Sequence, residues 1–337
     1  MKHALLVLIG ALLAAAGAQA FERVYTLGDK INGAKQIVLA TVVEVRELVP
    51  GNKPDDGAIV GDYLYRLRVR ELLKGRNQAG EIIVVQSPEY RKDKRCYQQD
   101  SLVIAFLTPN SLSGRFRAKH KLGQQQYYEN YAQRQGTVAI GDSAAVLYVR
   151  GIRDYLAAKQ ARKRERMAKW AALLDLNIPD LKESALSEMM GMPYYPAKDA
   201  FIKCLVDENL TAYACKNLLL LAPDSLADRL DMLLLMQKTD SRRVKVNLLK
   251  LVAPLQDDRV FKLLQQSLKD DNFEIRATAA KGLEHWTGKK AVKSLKKALG
   301  DEDDYVRNAA YEALTKQGFT IEKKTDGYYK ITAEPKK

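Results

Sequence analysis

The side chains that most often carry catalysis are few and widely spaced in this 337-residue sequence. Only two histidines lie beyond the first twenty residues, His120 between two lysines and His285 beside Trp286. Neighbouring positive charges disfavour protonation of His120, and the position of His285 at the end of a helical pattern is typical of packing or capping. No glycine-rich phosphate loop, Gly-x-Ser-x-Gly elbow, His-Glu-x-x-His or zinc-type Cys/His spacing occurs. The sequence therefore predicts a protein that is not an enzyme and has no cofactor or metal site.

The three cysteines are Cys96, Cys204 and Cys215, so at most one intramolecular pair can form. Cys204 and Cys215 lie symmetrically about a predicted turn at Asn209-Leu210, within a predicted helical pair. Residues equidistant from such a turn face each other, and bridging needs roughly 4.4–6.8 Å between Cα atoms. We expect a Cys204–Cys215 disulfide with Cys96 free. Two separately buried thiols are the alternative.

Basic residues exceed acidic ones, with 55 Lys and Arg against 41 Asp and Glu and a formal charge of +14. A field of this sign favours anionic partners. Two segments concentrate the charge: residues 63–70 alternate as a strand with arginines on one face, and residues 155–174 read as one basic helix. The candidate surface for an anionic glycan, lipid headgroup or acidic protein comprises Arg66, Arg68, Arg70, Lys159, Arg162, Lys163 and Arg166. For residues 155–174 the alternative is a connector helix with a solvated face and Trp170 packed against the first repeat.

The first twenty residues have the pattern of a secretory signal peptide. A basic start is followed by an apolar run over residues 4–16, broken only by Gly10, and then by Ala18-Gln19-Ala20. The run is shorter than the roughly 20 residues that span a bilayer, and no comparable run follows. We expect a mature chain from Phe21, periplasmic or secreted, with no membrane span and no nucleic-acid partner. A buried N-terminal helix is the alternative.

An internal repeat of 31 residues occupies the C-terminal half. Residues 268–276 match residues 299–307, and Leu233, Leu264 and Leu295 share a column one helix earlier. Each copy reads as two short amphipathic helices joined by an acidic turn. Four units are predicted over 196–318, at 196–224, 225–256, 257–288 and 289–318. One helix pair cannot bury its apolar stripe alone, so neighbouring units must stack.

Charged residues recur at the turns of the last two units. The acids Asp271 and Glu302 precede the bases Arg276 and Arg307. We interpret them as a ladder in which the acid caps the second helix and the base pairs with the neighbouring turn. A ligand site is the alternative.

Residues 274–280 and 303–310 carry the phrases Glu-Ile-Arg-Ala-Thr-Ala-Ala and Asp-Asp-Tyr-Val-Arg-Asn-Ala-Ala. These phrases resemble HEAT repeats of the short, bilin-lyase-like type, and the resemblance implies an α-solenoid. Some members of that family act on bilins, but the repeats themselves only hold shape, so fold does not give function. After the last unit, Asp326-Gly327 between two β-prone runs predicts a hairpin that caps the solenoid's end.

Residues 21–150 read as a small β-barrel. Strands are expected over 37–45, 63–70, 82–85, 102–107, 138–140 and 146–149. The opening strand, the Leu72-Leu73-Lys74-Gly75 strand end and the 102–107 strand after Cys96 resemble the OB-type barrel of netrin-like domains, which include tissue inhibitors of metalloproteinases. Those inhibitors chelate the protease zinc through an N-terminal cysteine. Phe21 stands at that place here, so the resemblance implies the fold and not inhibition.

The expected architecture is multidomain: a signal peptide at 1–20, an OB-like barrel at 21–150, basic connector helices at 151–195, four HEAT-like repeats at 196–318 and a hairpin cap with tail at 319–337. The expected function is an exported, non-catalytic scaffold that binds a protein through the solenoid or the barrel. The alternative is a binder of anionic glycan or lipid headgroups through the basic surfaces, and steep salt dependence distinguishes it. The sequence carries no signal for the oligomeric state.

Overall fold

The computed structural model describes residues 25–48, 63–76, 80–86, 96–325 and 327–335. The predicted signal peptide and Phe21 lie outside these ranges. The chain divides into two compact units, residues 1–149 and residues 150–337.

The first unit is a closed β-barrel. Its strands are β1 Gln36–Glu47, β2 Tyr63–Lys74, β3 Glu81–Gln86, β4 Leu102–Asn110, β5 Tyr127–Asn130 and β6 Thr137–Ala139. Five strands close in the order β1-β2-β3-β5-β4, and β4 returns to pair with β1. The β3–β5 pair is parallel and the other barrel pairs are antiparallel, and β6 pairs antiparallel with β4. The predicted OB-like barrel is therefore confirmed.

Alternation along the strands places apolar side chains inside the barrel. On β2, Tyr65 and Leu67 are buried while Arg66 and Arg68 between and beside them are exposed. The inner face adds an aromatic cluster in which the Tyr65 and Tyr97 rings lie 4.8 Å apart. A shift of β2 by one residue would turn the arginines inward, so burial sets the register.

The Lys74-Gly75 strand end fastens a short helix, α1 Leu27–Gly33, to the barrel. The Lys74 Nζ atom donates hydrogen bonds to the carbonyls of Ile31 and Ala34, both at 2.7 Å. Burial, and then the charge of Lys35, lowers the pKa of Lys74. Gly75 has φ +109°, a left-handed conformation that glycine adopts without strain. A second short helix, α2, spans Gly114–Lys119.

Residues 146–149, predicted as a strand, are helical, and the prediction was wrong. They belong to α3, Asp142–Gln160. The buried residues Ala145, Val149, Ile152 and Tyr155 follow helical spacing, whereas Val146 is 70% exposed. A four-residue apolar run is compatible with both a strand and a helix, and only the spacing of the apolar residues after it distinguishes the two.

The single helix predicted over 155–174 is also divided in the structure. Helix α3 ends at Gln160, and α4 spans Lys163–Leu173 after the extended residue Arg162. Arg166 donates to the carbonyl of Ala161 at 2.9 Å, which satisfies a group that the break leaves outside the helix.

The second unit is built from helical pairs. After α4 come α5 Pro179–Met189, α6 Lys198–Lys203, α7 Thr211–Leu218, α8 Leu230–Met236, α9 Arg242–Val252, α10 Asp258–Ser267, α11 Phe273–Gly282, α12 Lys289–Ala298 and α13 Asp304–Lys316. We call α6, α8, α10 and α12 the first helices and α7, α9, α11 and α13 the second helices. Among the described residues, no helix is long and apolar enough to cross a membrane.

The repeat columns form the core of this unit. Leu233, Leu264 and Leu295 of successive first helices are all 0% exposed. On the second helices, small residues such as Ala280 and Ala310 are fully buried and let neighbouring helices approach closely. A Cβ at Gly282 would lie 2.9 Å from the Ala253 side chain, closer than real contacts allow. The predicted solenoid of helical repeats is confirmed.

A hairpin follows the last repeat, with β7 Thr320–Lys323 paired to β8 Tyr329–Ala333. The Tyr329 ring stacks on Tyr311 of α13 at 4.8 Å, and its hydroxyl bonds to the Asn308 side chain. The Arg307 guanidinium lies 4.6 Å from the Tyr328 ring centroid. The hairpin packs on the last helix, and the predicted terminal hairpin is confirmed.

Candidate interaction surfaces

The solvent-facing side of the first helices changes character along the solenoid. At one 31-residue column the side chain is Leu235 on α8, Gln266 on α10 and Lys297 on α12, and all three are exposed. A second column reads Asp231, Lys262 and Lys293, also exposed. The buried columns stay apolar throughout, so the variation is confined to the surface. We call these positions the first-helix face.

The second repeat carries the apolar end of this face. Met232 and Leu235 lie at i, i+3 on α8 and are 38% and 63% exposed, and residues three apart are neighbours on a helix surface. In the preceding repeat, Leu219 and Leu220 follow the end of α7 and are 48% and 40% exposed. Clustered exposure of large apolar side chains is typical of interaction sites.

The third and fourth repeats carry the basic end. A groove of about 430 Å³ lies between α10 and α12. The residues that line it include three lysines and two apolar residues: Lys262, Lys269, Lys297, Leu268 and Ala298. Helix α12 holds five lysines and no acidic residue. The sequence signal for this surface is the lysine content of residues 289–298.

Arg276 joins two repeats. Its guanidinium donates to both carboxylate oxygens of Asp301 at 3.0 Å and to Glu302 at 3.2 Å, in the next turn. It also donates to the carbonyls of Asp270 and Asp271 in its own turn, each at 3.0 Å. The guanidinium is 9% exposed and the Asp301 carboxylate 14%. This buried fork fixes one turn against the next.

Asp301 is the acid that the predicted ladder omitted. Burial raises the pKa of its carboxyl, but hydrogen bonds from Arg276 and from the Asp303 backbone outweigh this, and the pKa is lowered overall. Asp301 lies 31 residues after Asp270, and each accepts the backbone N–H two residues onward, at 3.0 and 2.9 Å. Asp270 and Asp301 also recur at the 31-residue spacing in the sequence, but the prediction chose the next residue in each turn, Asp271 and Glu302.

The other ladder residues have different roles from those expected. Asp271 and Glu302 both offer backbone carbonyls, to Arg276 and Arg307 respectively. The second helices are capped by the next residue in each turn, Asn272 for α11 and Asp303 for α13. Each of these side chains accepts a hydrogen bond from a backbone N–H in the first turn of its helix. Arg307 donates to the carbonyls of Asp301 and Glu302 at 2.8 Å, within its own turn.

The barrel arginines of the candidate anionic surface have carboxylate neighbours. Arg66 pairs with Glu44 at 3.0 Å and Glu81 at 3.6 Å, and Arg68 pairs with Glu81 at 3.7 Å. Arg70 pairs with Asp142 at 3.3 Å. These pairs reduce the net charge that the strand face presents.

The helical part of that surface is divided by the break after α3. Lys159 pairs with Glu188 at 2.7 Å, and Arg166 bonds to the Ala161 carbonyl. Arg162 and Lys163 are exposed at the break itself. A role for this surface in binding anions stays a prediction.

The cysteines do not pair as expected: Cys96, Cys204 and Cys215 form no disulfide in this structure. The Cys215 thiol donates to the carbonyl of Asn247 on α9 at 3.4 Å. Cys204 begins a 3-10 turn, Cys204–Val206, rather than continuing α6. The two residues therefore do not lie on a regular helical hairpin, which the argument from equal spacing required.

We expect the native protein to react with an alkylating agent at Cys96 first. Burial raises the pKa of Cys215 to about 12 and also raises that of Cys204, and the thiolate is the reactive form. Cys96 is only half-buried. Peptide mapping of native and denatured samples should find Cys204 and Cys215 modified only after unfolding. A Cys204–Cys215 bridged peptide without reductant would contradict the structure.

The two histidines have structural neighbours. The His120 ring packs on Phe116 at 4.5 Å, and burial, then the charges of Lys119 and Arg46, lowers its pKa. His285 is exposed and lies 3.7 Å from Glu284. Within the described ranges, no group of three or more His, Cys, Asp or Glu residues is arranged to hold a metal ion.

A family model for HEAT repeats matches residues 230–316. The match runs from α8 to the end of α13, so it covers the three later helix pairs and leaves out α6 and α7. No curated protein matches the chain. The C-terminal part of the chain is therefore similar to HEAT repeats, in agreement with its helical pairs and buried columns.

Proposed function

We propose that the protein is an exported, non-catalytic scaffold whose first-helix face holds a protein partner. One observation carries the proposal: at a single solvent-facing column, Leu235 is 63% exposed where the later repeats have Gln266 and Lys297. Folding does not require a leucine at a position where two other repeats have polar residues. A large apolar side chain kept in water there is accounted for by a contact outside the chain.

The architecture supports the same function. Stacked repeats present extended surfaces on a rigid core, and such surfaces serve macromolecular partners. HEAT repeats over residues 230–316 suggest a protein-interaction scaffold. The large apolar residues Met232, Leu219 and Leu220 in the first two repeats are also exposed, and burying them against a partner would contribute roughly 25 cal/mol per Å².

Export and the barrel complete the proposal. The apolar run over residues 4–16 and the Ala18-x-Ala20 boundary support cleavage before Phe21 and a periplasmic or secreted location. The closed strand order and the Lys74-Gly75 strand end support a netrin-like barrel. The barrel would then serve as a second binding module, without the N-terminal cysteine that protease inhibition needs.

We expect the double substitution Met232→Ser and Leu235→Ser to abolish most capture of the partner. Tagged full-length protein would be used to pull down proteins from an envelope extract, with quantification by mass spectrometry. Both side chains are exposed, so the free energy of unfolding of the variant should lie within about 0.5 kcal/mol of the wild-type value. Loss of two apolar anchors should weaken binding by about ten-fold or more.

The matched control is Val146→Ser with Leu147→Ser on α3, where the side chains are 70% and 43% exposed. This control removes similar apolar surface outside the repeats and should leave capture unchanged. Equal capture by the wild type and the Met232/Leu235 variant would refute the first-helix face as the binding surface. A wild type that enriches no protein over an untagged control would refute the scaffold function.

A further inference from the structure

We propose that the groove between α10 and α12 binds an extended acidic segment of the partner protein. The inference rests on the proposed scaffold function and names the chemistry of the partner at one place on the first-helix face. The groove measures about 430 Å³ and is flanked by lysines from two successive repeats.

Lysines of two successive repeats line this groove. Lys262 on α10 and Lys269 just after it come from the third repeat, and Lys297 on α12 comes from the fourth. All three side chains are exposed. The groove lining therefore carries three positive charges from two adjacent repeats.

The carboxylate in the groove lining is already engaged. Asp301 lines the groove, but both of its carboxylate oxygens accept hydrogen bonds from Arg276 at 3.0 Å. Glu302 in the same turn also pairs with Arg276, at 3.2 Å. Lys296 on α12 does not line the groove, and it pairs with Glu334 just after β8. The groove lining itself therefore holds three lysines and one carboxylate, and that carboxylate is already paired with Arg276.

The shape of the groove favours a peptide over a membrane surface. Its walls include the apolar side chains of Leu268 and Ala298. The Gln265 amide donates to the Ser294 hydroxyl at 3.1 Å and links the two helices across the groove. A chain with alternating acidic and small apolar residues can place carboxylates on the lysines and side chains on these walls. A flat layer of headgroups can reach only the rim.

Continuity with the apolar end supports the same occupant. Lys297 and Lys293 occupy the columns of Leu235 and Asp231 in the second repeat. A single partner segment that follows the first helices would meet apolar residues at the second repeat and cations at the third and fourth. The inferred ligand is therefore an acidic stretch next to an apolar anchor.

The test uses the full chain and a fluorescein-labelled oligoglutamate peptide, with an oligoglutamine peptide as the uncharged probe. Binding is followed by fluorescence anisotropy at low salt and at about 0.15 M salt, where the Debye length is near 8 Å. The variant carries Lys262→Gln, Lys269→Gln and Lys297→Gln, the three lysines that line the groove. We expect it to bind oligoglutamate about ten-fold more weakly than the wild type, because three exposed contacts of up to about 1 kcal/mol each are lost.

The matched control carries Lys216→Gln, Lys250→Gln and Lys281→Gln, three exposed lysines of the second helices. It removes the same net charge and should retain wild-type affinity. Equal weakening of both variants would overturn the proposal, because binding would then depend only on overall charge. Wild-type protein that binds phosphatidylglycerol vesicles through these lysines but not oligoglutamate would overturn it in favour of a lipid surface.

The same variants separate this inference from the scaffold function. If the groove variant still captures the partner from an envelope extract as the wild type does, the acidic-segment inference fails and the scaffold stands. If the wild type captures no partner at all, the scaffold function fails, whatever the peptide affinity. Support for both requires that the groove variant lose oligoglutamate affinity and partner capture together.

Discussion

Replacing Arg276 with alanine is expected to lower the free energy of unfolding of the repeat unit by about 3 kcal/mol. The change removes a guanidinium that is 9% exposed and leaves the largely buried Asp301 carboxylate without its ion-pair partner. Removing one member of such a pair is costly, because the other charge remains desolvated. It also leaves the carbonyls of Asp270 and Asp271 without their donor. Urea unfolding followed by far-ultraviolet circular dichroism measures the loss.

The control is Lys245→Ala, at the same repeat column on α9. Lys245 is half-buried, and its removal should cost no more than about 0.5 kcal/mol. If the two substitutions destabilise the protein equally, the fork between adjacent turns is not what stabilises this part of the solenoid.

The Arg276 pair also predicts a pH dependence. The pKa of Asp301 is lower in the folded protein than its ordinary value. The pair therefore contributes fully above about pH 4, the unfolded pKa, and its contribution is lost as the pH falls through the folded pKa. The wild type should lose stability in this acid range more steeply than Arg276→Ala. Parallel curves would show that the ion pair is not the titrating element.

Replacing Trp170 with alanine is expected to destabilise the second unit by about 4 kcal/mol. Trp170 on α4 is 0% exposed and packs against Tyr155 of α3 with ring centroids 4.7 Å apart. Truncating a buried tryptophan removes its apolar contacts and leaves a cavity, which together cost about 3–5 kcal/mol. Thermal unfolding by calorimetry should show a lower transition temperature for the helical unit.

The substitution Trp170→Phe separates the contribution of ring packing from that of the indole N–H. The Trp170 indole N–H is buried without a hydrogen-bond partner in the described part of the chain, so removing it relieves an unsatisfied donor. We expect phenylalanine to cost only about 1 kcal/mol, because ring contacts with Tyr155 persist while the polar group is lost. A Phe variant as unstable as the Ala variant would mean that the N–H is satisfied and that the indole contributes through it.

The features that the sequence predicted correctly were those repeated along it. Leu233, Leu264 and Leu295 share a column and are all buried. Because the same apolar residue recurs in three repeats, its buried position could be predicted from the sequence. Alternation in residues 63–70 located a barrel strand for the same reason. Residues 146–149 are too few to distinguish the two-residue period of a strand from the 3.6-residue period of a helix. The helical spacing becomes recognisable only with Ile152 and Tyr155.

Pairings between side chains were harder to predict than elements. The Arg276 fork was assigned to the right base but not to Asp301, because adjacent acids in a turn point in different directions that spacing does not reveal. The disulfide argument assumed two regular helices around Asn209, whereas Cys204 begins a 3-10 turn. The basic groove was not predicted, because it forms only where α10 and α12 pack side by side. The lysines of α12 alone were recognisable in the sequence.

The central claim is that the first helices of the solenoid hold the partner. Its most direct test is chemical cross-linking of the captured complex with an amine-reactive reagent, followed by mass spectrometry. We expect cross-links to the partner to concentrate on Lys262, Lys293 and Lys297, all exposed on first helices. Cross-links confined to barrel lysines such as Lys35, Lys119 and Lys121, with none on α10 or α12, would contradict it.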